Sequence, residues 1–327
     1  MAQAGRQVAL IDDCDYEQWK VGESLPGAAI RLLHRLGISS LEELVGSENY
    51  KACMANVSAW GTDHWTYKDA IHSPEGGGWH LMRHEFDKAL KEQALAAGAV
   101  HHSARVYNSV QKGDKSFLLE LKGASVNSQL DAQFLIDASG RSAVVSRRMG
   151  TERERMEQQM AAYTWLKPMD GDTDNTTRVK SVSQGWWYTS RLPNGYRVLS
   201  YQGNADIVGQ MSKDPQSFLE ACNATDILPT QRLLCTEHLS RGIHTHDAGI
   251  SRLLQPYGEG WLAMGDAALS FDPLSSQGIF FSLYSAVRGV EASLDGSDAA
   301  FEKYAKQVRS VFDGNIRGRK EFYGAIA

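Results

Sequence analysis

Three short apolar runs, far apart in the chain, each stop at an aspartate, and this repetition constrains the fold more than any other feature. They are Val8-Ala9-Leu10-Ile11-Asp12, Phe134-Leu135-Ile136-Asp137 and Trp261-Leu262-Ala263-Met264-Gly265-Asp266. Unbroken apolar runs of this kind read as buried strands of a parallel sheet. In a doubly wound fold the carboxyl ends of such strands line the crevice where a dinucleotide lies. A carboxylate there accepts two hydrogen bonds at once, which suits the hydroxyls of a ribose (Asp12) or of a polyol chain (Asp266). One strand ending in aspartate often does no more than begin a loop. The set of three carries the argument.

The segments between these runs have two textures. Residues 25–36 have helical spacing with Gly37 as a stop, and residues 84–97 place Phe86, Leu90, Ala94 and Ala97 on one face before Gly98. Residues 100–121 read as two antiparallel strands around Lys112-Gly113-Asp114. After Gly150 the pattern changes to strands at 161–166, 178–183 and 186–192, with a hairpin through Pro193-Asn194-Gly195 into 196–201. Helices are expected at 215–222 and 229–239, then at 278–294 and 301–312. The fold class is α/β (α+β overall): a Rossmann-like cofactor domain from 1–50, 80–155 and 255–327, and an inserted antiparallel-sheet substrate domain from 51–79 and 156–254.

Composition removes several function classes. Hydrophobic residues are 42% and charged residues 22%, an ordinary globular balance, and the net charge of −5 with scattered Lys and Arg argues against a nucleic-acid partner. Cys14, Cys53, Cys222 and Cys235 lie far apart, which implies reduced thiols rather than a disulfide framework or zinc site. His244 and His246 have no further ligands at metal spacing, so no metal is expected. The start lacks a signal-peptide run, and no apolar stretch is long enough to span a membrane. A cytoplasmic protein is expected.

Gly265-Asp266-Ala267-Ala268, followed by Asp272-Pro273-Leu274 and Gly278, is the most specific stretch. Small residues admit a bulky ligand, Asp266 can bind a polyol, and the helix opening at Gly278 aims its first N–H groups at negative charge. That stretch resembles the second FAD motif of FAD-dependent monooxygenases and flavin-dependent halogenases, which share the aromatic-hydroxylase fold. Asp137-Ala138-Ser139-Gly140-Arg141 is similar to the family's aspartate–glycine motif. Lys20-Val21-Gly22-Glu23-Ser24-Leu25-Pro26 resembles the loop that crosses the flavin, and Arg83 resembles an arginine on the adenine side. The resemblance implies an FAD-binding domain with cofactor contacts at Asp12, Val21, Gly22, Arg83, Asp137, Gly140, Gly265, Asp266, Pro273, Gly278 and Ile279. Lys20 and Glu23 become the candidates for the reactive face. It also implies that the family's first strand and GxGxxG loop precede residue 1, weakening FAD binding by this chain.

The reaction implied is monooxygenation of an aromatic ring through a flavin C4a-hydroperoxide, with electrons from NAD(P)H or from flavin reduced externally by a flavin reductase. Two departures argue against tryptophan-type halogenation. The WxWxIP signature is replaced by Gly185-Trp186-Trp187-Tyr188-Thr189-Ser190-Arg191, and Ser275 stands where those enzymes place a catalytic glutamate. A serine cannot take up a proton as a carboxylate does. Leu274-Ser275-Ser276-Gln277-Gly278 with Gly78-Trp79 resembles flavoproteins that mature quinone-cofactor amine or amino-acid oxidases. The partner is then a small phenol or indole, or a protein bearing a target tryptophan. Halogenation, double-bond reduction and a non-catalytic remnant are the alternatives. Trp60, Trp65, Trp79, Trp186 and Trp187 are candidates for an aromatic cleft or for the core.

Overall fold

Strand pairing sorts the three aspartate-ended runs into two sheets. In a computed structural model, which describes residues 1–69, 76–112, 116–123, 127–230 and 234–324, Leu135–Asp137 lies parallel to Trp261–Ala263. Ala9–Asp12 lies parallel to the start of Val100–Lys112, which folds back onto Ser116–Gly123 and Asn127–Ala132. Parallel neighbours need a crossover, and the helix Arg83–Ala96 is part of the one between Asp12 and Val100. Asp137 and Asp266 therefore end adjacent segments, whereas Asp12 ends a strand of a separate four-stranded sheet. Among the described residues no strand pairs with the outer edge of Ala9–Asp12 or of Leu135–Asp137, so the two ladders do not join. Ile11, Leu135 and Leu262 nonetheless meet in one apolar core.

A seven-stranded sheet forms the other half. Its spatial order is Leu239–Asp247, Gln159–Leu166, Arg197–Asn204, Gly185–Arg191, Thr177–Val182, Ala55–Ala59 and Thr66–Asp69. Neighbours are antiparallel except Thr177–Val182 with Ala55–Ala59, which pair parallel. Strand alternation divides the central strand cleanly. Leu199 and Tyr201 join Trp187 and Phe218 in a core under the helices Ala205–Lys213 and Pro215–Asn223. Val198, Ser200 and Gln202 face the opposite way.

The helix Gly278–Asp295 packs on the parallel strands. It does so closely: a Cβ on Gly289 would lie 2.7 Å from a Leu262 methyl and 2.5 Å from Met264 Cε. The last helix, Asp298–Gly324, is longer than the expected 301–312. Its Tyr304 hydroxyl donates to Ala263 O at 2.7 Å, and its far end reaches the seven-stranded sheet, where Trp186 Nε1 donates to Tyr323 Oη at 2.9 Å. Among the described residues no helix is long and apolar enough to cross a membrane.

Several local expectations need correction. The helix expected from residue 25 begins at Ala29, because Ser24–Leu25 instead pairs as a strand with Trp79–Leu81. Where 229–239 read as a helix, the described part holds a short turn, Thr236–His238, followed by the strand Leu239–Asp247. That strand's apolar content is low because it lies at the sheet edge, which hid it from pattern reading. The helix Ala205–Lys213 was not expected; Asn204 caps it, accepting from Asp206 N at 2.8 Å. Gly113 and Asp114 of the expected turn, and Ser73, Pro74 and Glu75, lie outside the described residues.

One buried ion pair braces the seven-stranded sheet. Arg197 donates to both Asp172 oxygens at 2.8 Å, and each side chain is only 1% exposed. Removing one partner strands the other charge in low dielectric, so Asp172→Ala is expected to cost about 3–5 kcal/mol, read as a lowered urea midpoint. A loss below about 1 kcal/mol, the range of surface pairs, would show that the guanidinium finds water instead.

Candidate functional site

A cavity of about 330 Å³ lies between the two halves, within the range of small-molecule sites. One wall is built by the α/β half. There Gly265–Ala267 forms a tight turn, and Gly265 adopts φ +56°, a conformation that favours glycine. Arg153 clamps the turn, donating to Asp266 O and Ala267 O at 2.8 Å each. Burial and the neighbouring Arg141 bring the Arg153 guanidinium down to about 10.

The Asp266 side chain retains 34% of its surface although it sits deep in the cleft, so it opens into the cavity it lines. Burial pushes its carboxyl above the usual carboxylate range, against the pull of Arg141, Arg83 and Arg153. Arg141 Nε lies 3.7 Å from Asp266, and the same guanidinium donates to Gly249 O at 2.5 Å and Phe271 O at 2.8 Å. Beside this acid the helix Gly278–Asp295 begins at Gln277 with no side-chain cap, and both Gly278 and Ile279 line the cavity. Its first N–H groups are donors without helical partners.

The crossing loop closes the top. Gly22 turns at φ +88°, and its carbonyl accepts from Arg83 Nη1 at 3.3 Å. Arg83 also pairs with Asp87, one turn along its helix, at 2.7 Å, and Lys20 reaches the same carboxylate at 3.2 Å. Lys20 is thereby an anchor behind the loop and does not line the cavity. Gly78 holds the loop from below: a Cβ there would lie 2.6 Å from Leu25 O.

Glu23 is 2% exposed. It accepts short hydrogen bonds from the Tyr188 and Ser190 hydroxyls and one from Gly22 N at 3.1 Å. Burial, then the Glu23 charge, pushes the Tyr188 phenol well above its ordinary value, so it stays a donor at neutral pH. Ser24 Oγ lies 3.0 Å from the same hydroxyl. The opposite wall is the free face of the seven-stranded sheet, with Ala161, Tyr163, Val198, Ser200 and Gln202. His246 completes its rim, and burial followed by Arg141 pushes its imidazole down.

Of the residues singled out in the sequence, the structure brings Val21, Gly22, Glu23, Arg83, Asp266, Pro273, Gly278 and Ile279 to this cavity. Gly265 sits just behind it as the hinge of the Asp266 turn. Asp137 does not reach it: the carboxylate is 1% exposed and is saturated by Ser139 and Ser146 through their N–H and hydroxyl groups, at 2.6–3.1 Å. Gly140 belongs to that same turn. Asp12 is also engaged elsewhere, accepting from Cys14 N at 2.9 Å and Tyr16 Oη at 3.2 Å beside His101.

None of the five candidate tryptophans lines the cavity. Trp187 is core, 5.1 Å from the Phe218 ring, and Trp186 faces Tyr323. Pattern reading missed Tyr163, Tyr188, Ser200 and Gln202. The alternation Val198-Ser200-Gln202 was the available signal, but it does not say which face meets a ligand. Among the described residues no cluster could hold a metal ion.

The donor set fits a flavin. A carboxylate beside arginines suits a polyol chain, and an uncapped helix start suits the pyrimidine end, where charge gathers on reduction. Comparison with known proteins agrees. LodB of Marinomonas mediterranea, provisionally named an FAD-dependent oxidoreductase, is 23% identical over 94% of this chain and 83% of its own length. The flavin-dependent halogenase CmlS superposes with a TM-score of 0.81 at 22% identity, covering 95% of this chain; the chain spans 59% of CmlS. QhpG, a peptidyl tryptophan dihydroxylase, superposes with a TM-score of 0.71 at 19% identity over 99% of this chain and 70% of its own. The likeness to these two structures establishes the fold. The tryptophan halogenase family model matches residues 45–317, most of the chain, and the protein belongs to that family.

Proposed function

We propose that this protein is an FAD-dependent oxidoreductase that places an electron-rich aromatic ring in the cavity and monooxygenates it. The observation that carries the reading is the cavity itself, with flavin-type donors and acceptors on the α/β wall and an aromatic and polar wall on the sheet. Asp266 would hold the polyol chain, the N–H groups at Gly278 and Ile279 the pyrimidine end, and Val21 and Gly22 the face of the ring system. Arg83 would balance negative charge on the nucleotide side. Bound there, FAD supplies the redox chemistry with dioxygen, its electrons coming from NAD(P)H or from a separate flavin reductase.

The chain's own residues orient the ring and exclude water. Tyr163 gives an aromatic contact, and Val198 and Ala161 give apolar ones. Substitution on a ring releases a proton, and the hydrogen-bonded line Ser24–Tyr188–Glu23 leads from the cavity to a buried carboxylate. Glu23 thus accepts a proton at Oε1 through the Tyr188 hydroxyl. Asp137 serves by fixing its turn, and Asp12 lies outside the cavity lining with its carboxylate part-exposed. The division into FAD and substrate domains follows the two walls. The ring belongs to a small phenol or indole, or to a tryptophan of a partner protein, as in the substrate for which QhpG is named.

Halogenation is the second reading, favoured by the family match. Against it stands Ser275, whose hydroxyl is turned back to Asp272 O at 2.9 Å and offers no carboxylate to the cavity.

Two outcomes are expected. Protein incubated with excess FAD and desalted retains a flavin absorption band, and Asp266→Ala lowers FAD affinity about tenfold or more, the worth of one charged hydrogen bond; unchanged affinity would remove Asp266 from the polyol. With reduced FAD, dioxygen and an indole or a tryptophan peptide, mass spectrometry shows an added oxygen atom whether or not halide is present. A product that carries bromine and requires bromide would replace monooxygenation by the second reading.

A further inference from the structure

A chain of aromatic rings runs from the cavity to the surface. Tyr163 lines the cavity, on the same wall as the polar Ser200, Gln202 and His246. Its ring meets the Trp165 indole edge-on, with centroids 5.6 Å apart. Trp165 meets Trp19 at 5.9 Å, and Trp19 meets Tyr196 at 4.8 Å, each again edge to face. Rings at these spacings are in contact. Trp165 is 3% exposed, whereas Trp19 and Tyr196 are half-buried. Two imidazoles flank the chain: His244 lies against both Tyr163 and Trp165, and His84 is stacked on Trp19. Tyr188, the other phenol on the cavity wall, is tied to Glu23 and makes no ring pair among the described residues.

Packing accounts for the ring contacts but not for two polar features beside them. The Trp165 indole N–H is buried without an acceptor, and an orphan donor in a native structure calls for an explanation. Arg241 sits in the edge strand where the register against Tyr163 and Trp165 shifts, at φ +70°, a conformation that side chains rarely adopt. Such a bulge re-aims a side chain, and here the guanidinium lies 4.6 Å over the Trp19 ring. An indole that has lost an electron is a cation with an acidic N–H. Trp165, with no acceptor, keeps its proton and passes the hole on. Half-exposed Trp19 can release its proton to water, and the Arg241 charge favours that loss.

We propose that Tyr163, Trp165 and Trp19 form a relay that carries single oxidising equivalents from the cavity to the surface, ending at the Trp19–Tyr196 pair and sparing the cavity walls. This inference rests on the reading that oxygen chemistry takes place at a flavin in the cavity. The oxidant is an oxygen-centred radical left there when no ring is bound; it takes an electron and the hydroxyl proton from Tyr163. Trp165 returns the electron to Tyr163, which regains a proton from water. Trp19 then reduces Trp165 and releases its indole proton to water. A thiol in solution restores the electron and proton to Trp19, so the net change is one electron and one proton from thiol to oxidant.

The test is transient absorption on the FAD-loaded protein after a light flash, which makes the flavin itself a one-electron oxidant. Wild type is expected to show a long-lived tryptophanyl or tyrosyl radical, and added glutathione shortens its life because the outer end of the chain is reachable. In Trp165→Phe a ring remains but cannot be oxidised, and the long-lived radical is lost while FAD affinity is unchanged. Trp19→Phe leaves only a short-lived radical that glutathione does not touch, and it decides the matter should the Trp165 variant fail to fold. Trp60→Phe, which changes a half-buried indole off the chain, keeps the wild-type signal. Retained flavin with no protein radical overturns the proposal and leaves packing as the chain's role; so does a long-lived radical that survives in both chain variants or ignores glutathione in wild type. Protein that retains no flavin band before the flash overturns the cofactor reading and the relay together, which tells the two failures apart.

Discussion

Glu23 holds the site together. A carboxylate taken out of water is costly unless each lone pair finds a donor, and here the donors come from both halves of the molecule. Gly22 N belongs to the crossing loop, and the Tyr188 and Ser190 hydroxyls belong to the seven-stranded sheet. The loop cannot lift from the sheet without exposing an uncompensated charge. The cavity roof and its far wall are thus fixed to each other by one side chain, and the proposed proton path passes through the same bonds.

The last helix supplies a second brace on the opposite side. Asp272 opens the turn that leads into Gly278. Its buried carboxylate accepts from Leu274 N at 3.0 Å, Tyr323 Oη at 2.7 Å and Arg319 Nε at 3.2 Å. Burial pushes Asp272 above the usual carboxylate range, against these donors. Tyr323 also receives the Trp186 indole N–H, so one phenol hydroxyl links the turn at Asp272, the last helix and the sheet. Asp272 stands in the family motif, yet its side chain is fully used in holding the turn. It lines the cavity and shapes it.

Much of the α/β wall of the cavity was legible in the chain because its geometry is local. Asp266, Gly278 and Ile279 lie within one short stretch, and a strand, a tight turn and a helix start place them together by backbone geometry alone. Val21 and Gly22 were legible for the same reason. Asp137 looked equivalent to Asp266, since each follows an apolar run. The difference is that Ser139 and Ser146 lie where they can fold back on it, and no strand pattern reveals which acid will be satisfied internally.

The sequence by itself determined the fold class, the pairing of apolar runs with turns, and the residues that bend the backbone at the cavity, because these depend on neighbours a few positions away. Only the tertiary structure decided that Lys20 is an anchor to Asp87 and that Glu23 is buried against Tyr188. Glu23 and Tyr188 stand 165 positions apart. Whether a polar side chain is solvated or paired depends on what the rest of the chain brings beside it, and that is a property of packing across the two halves.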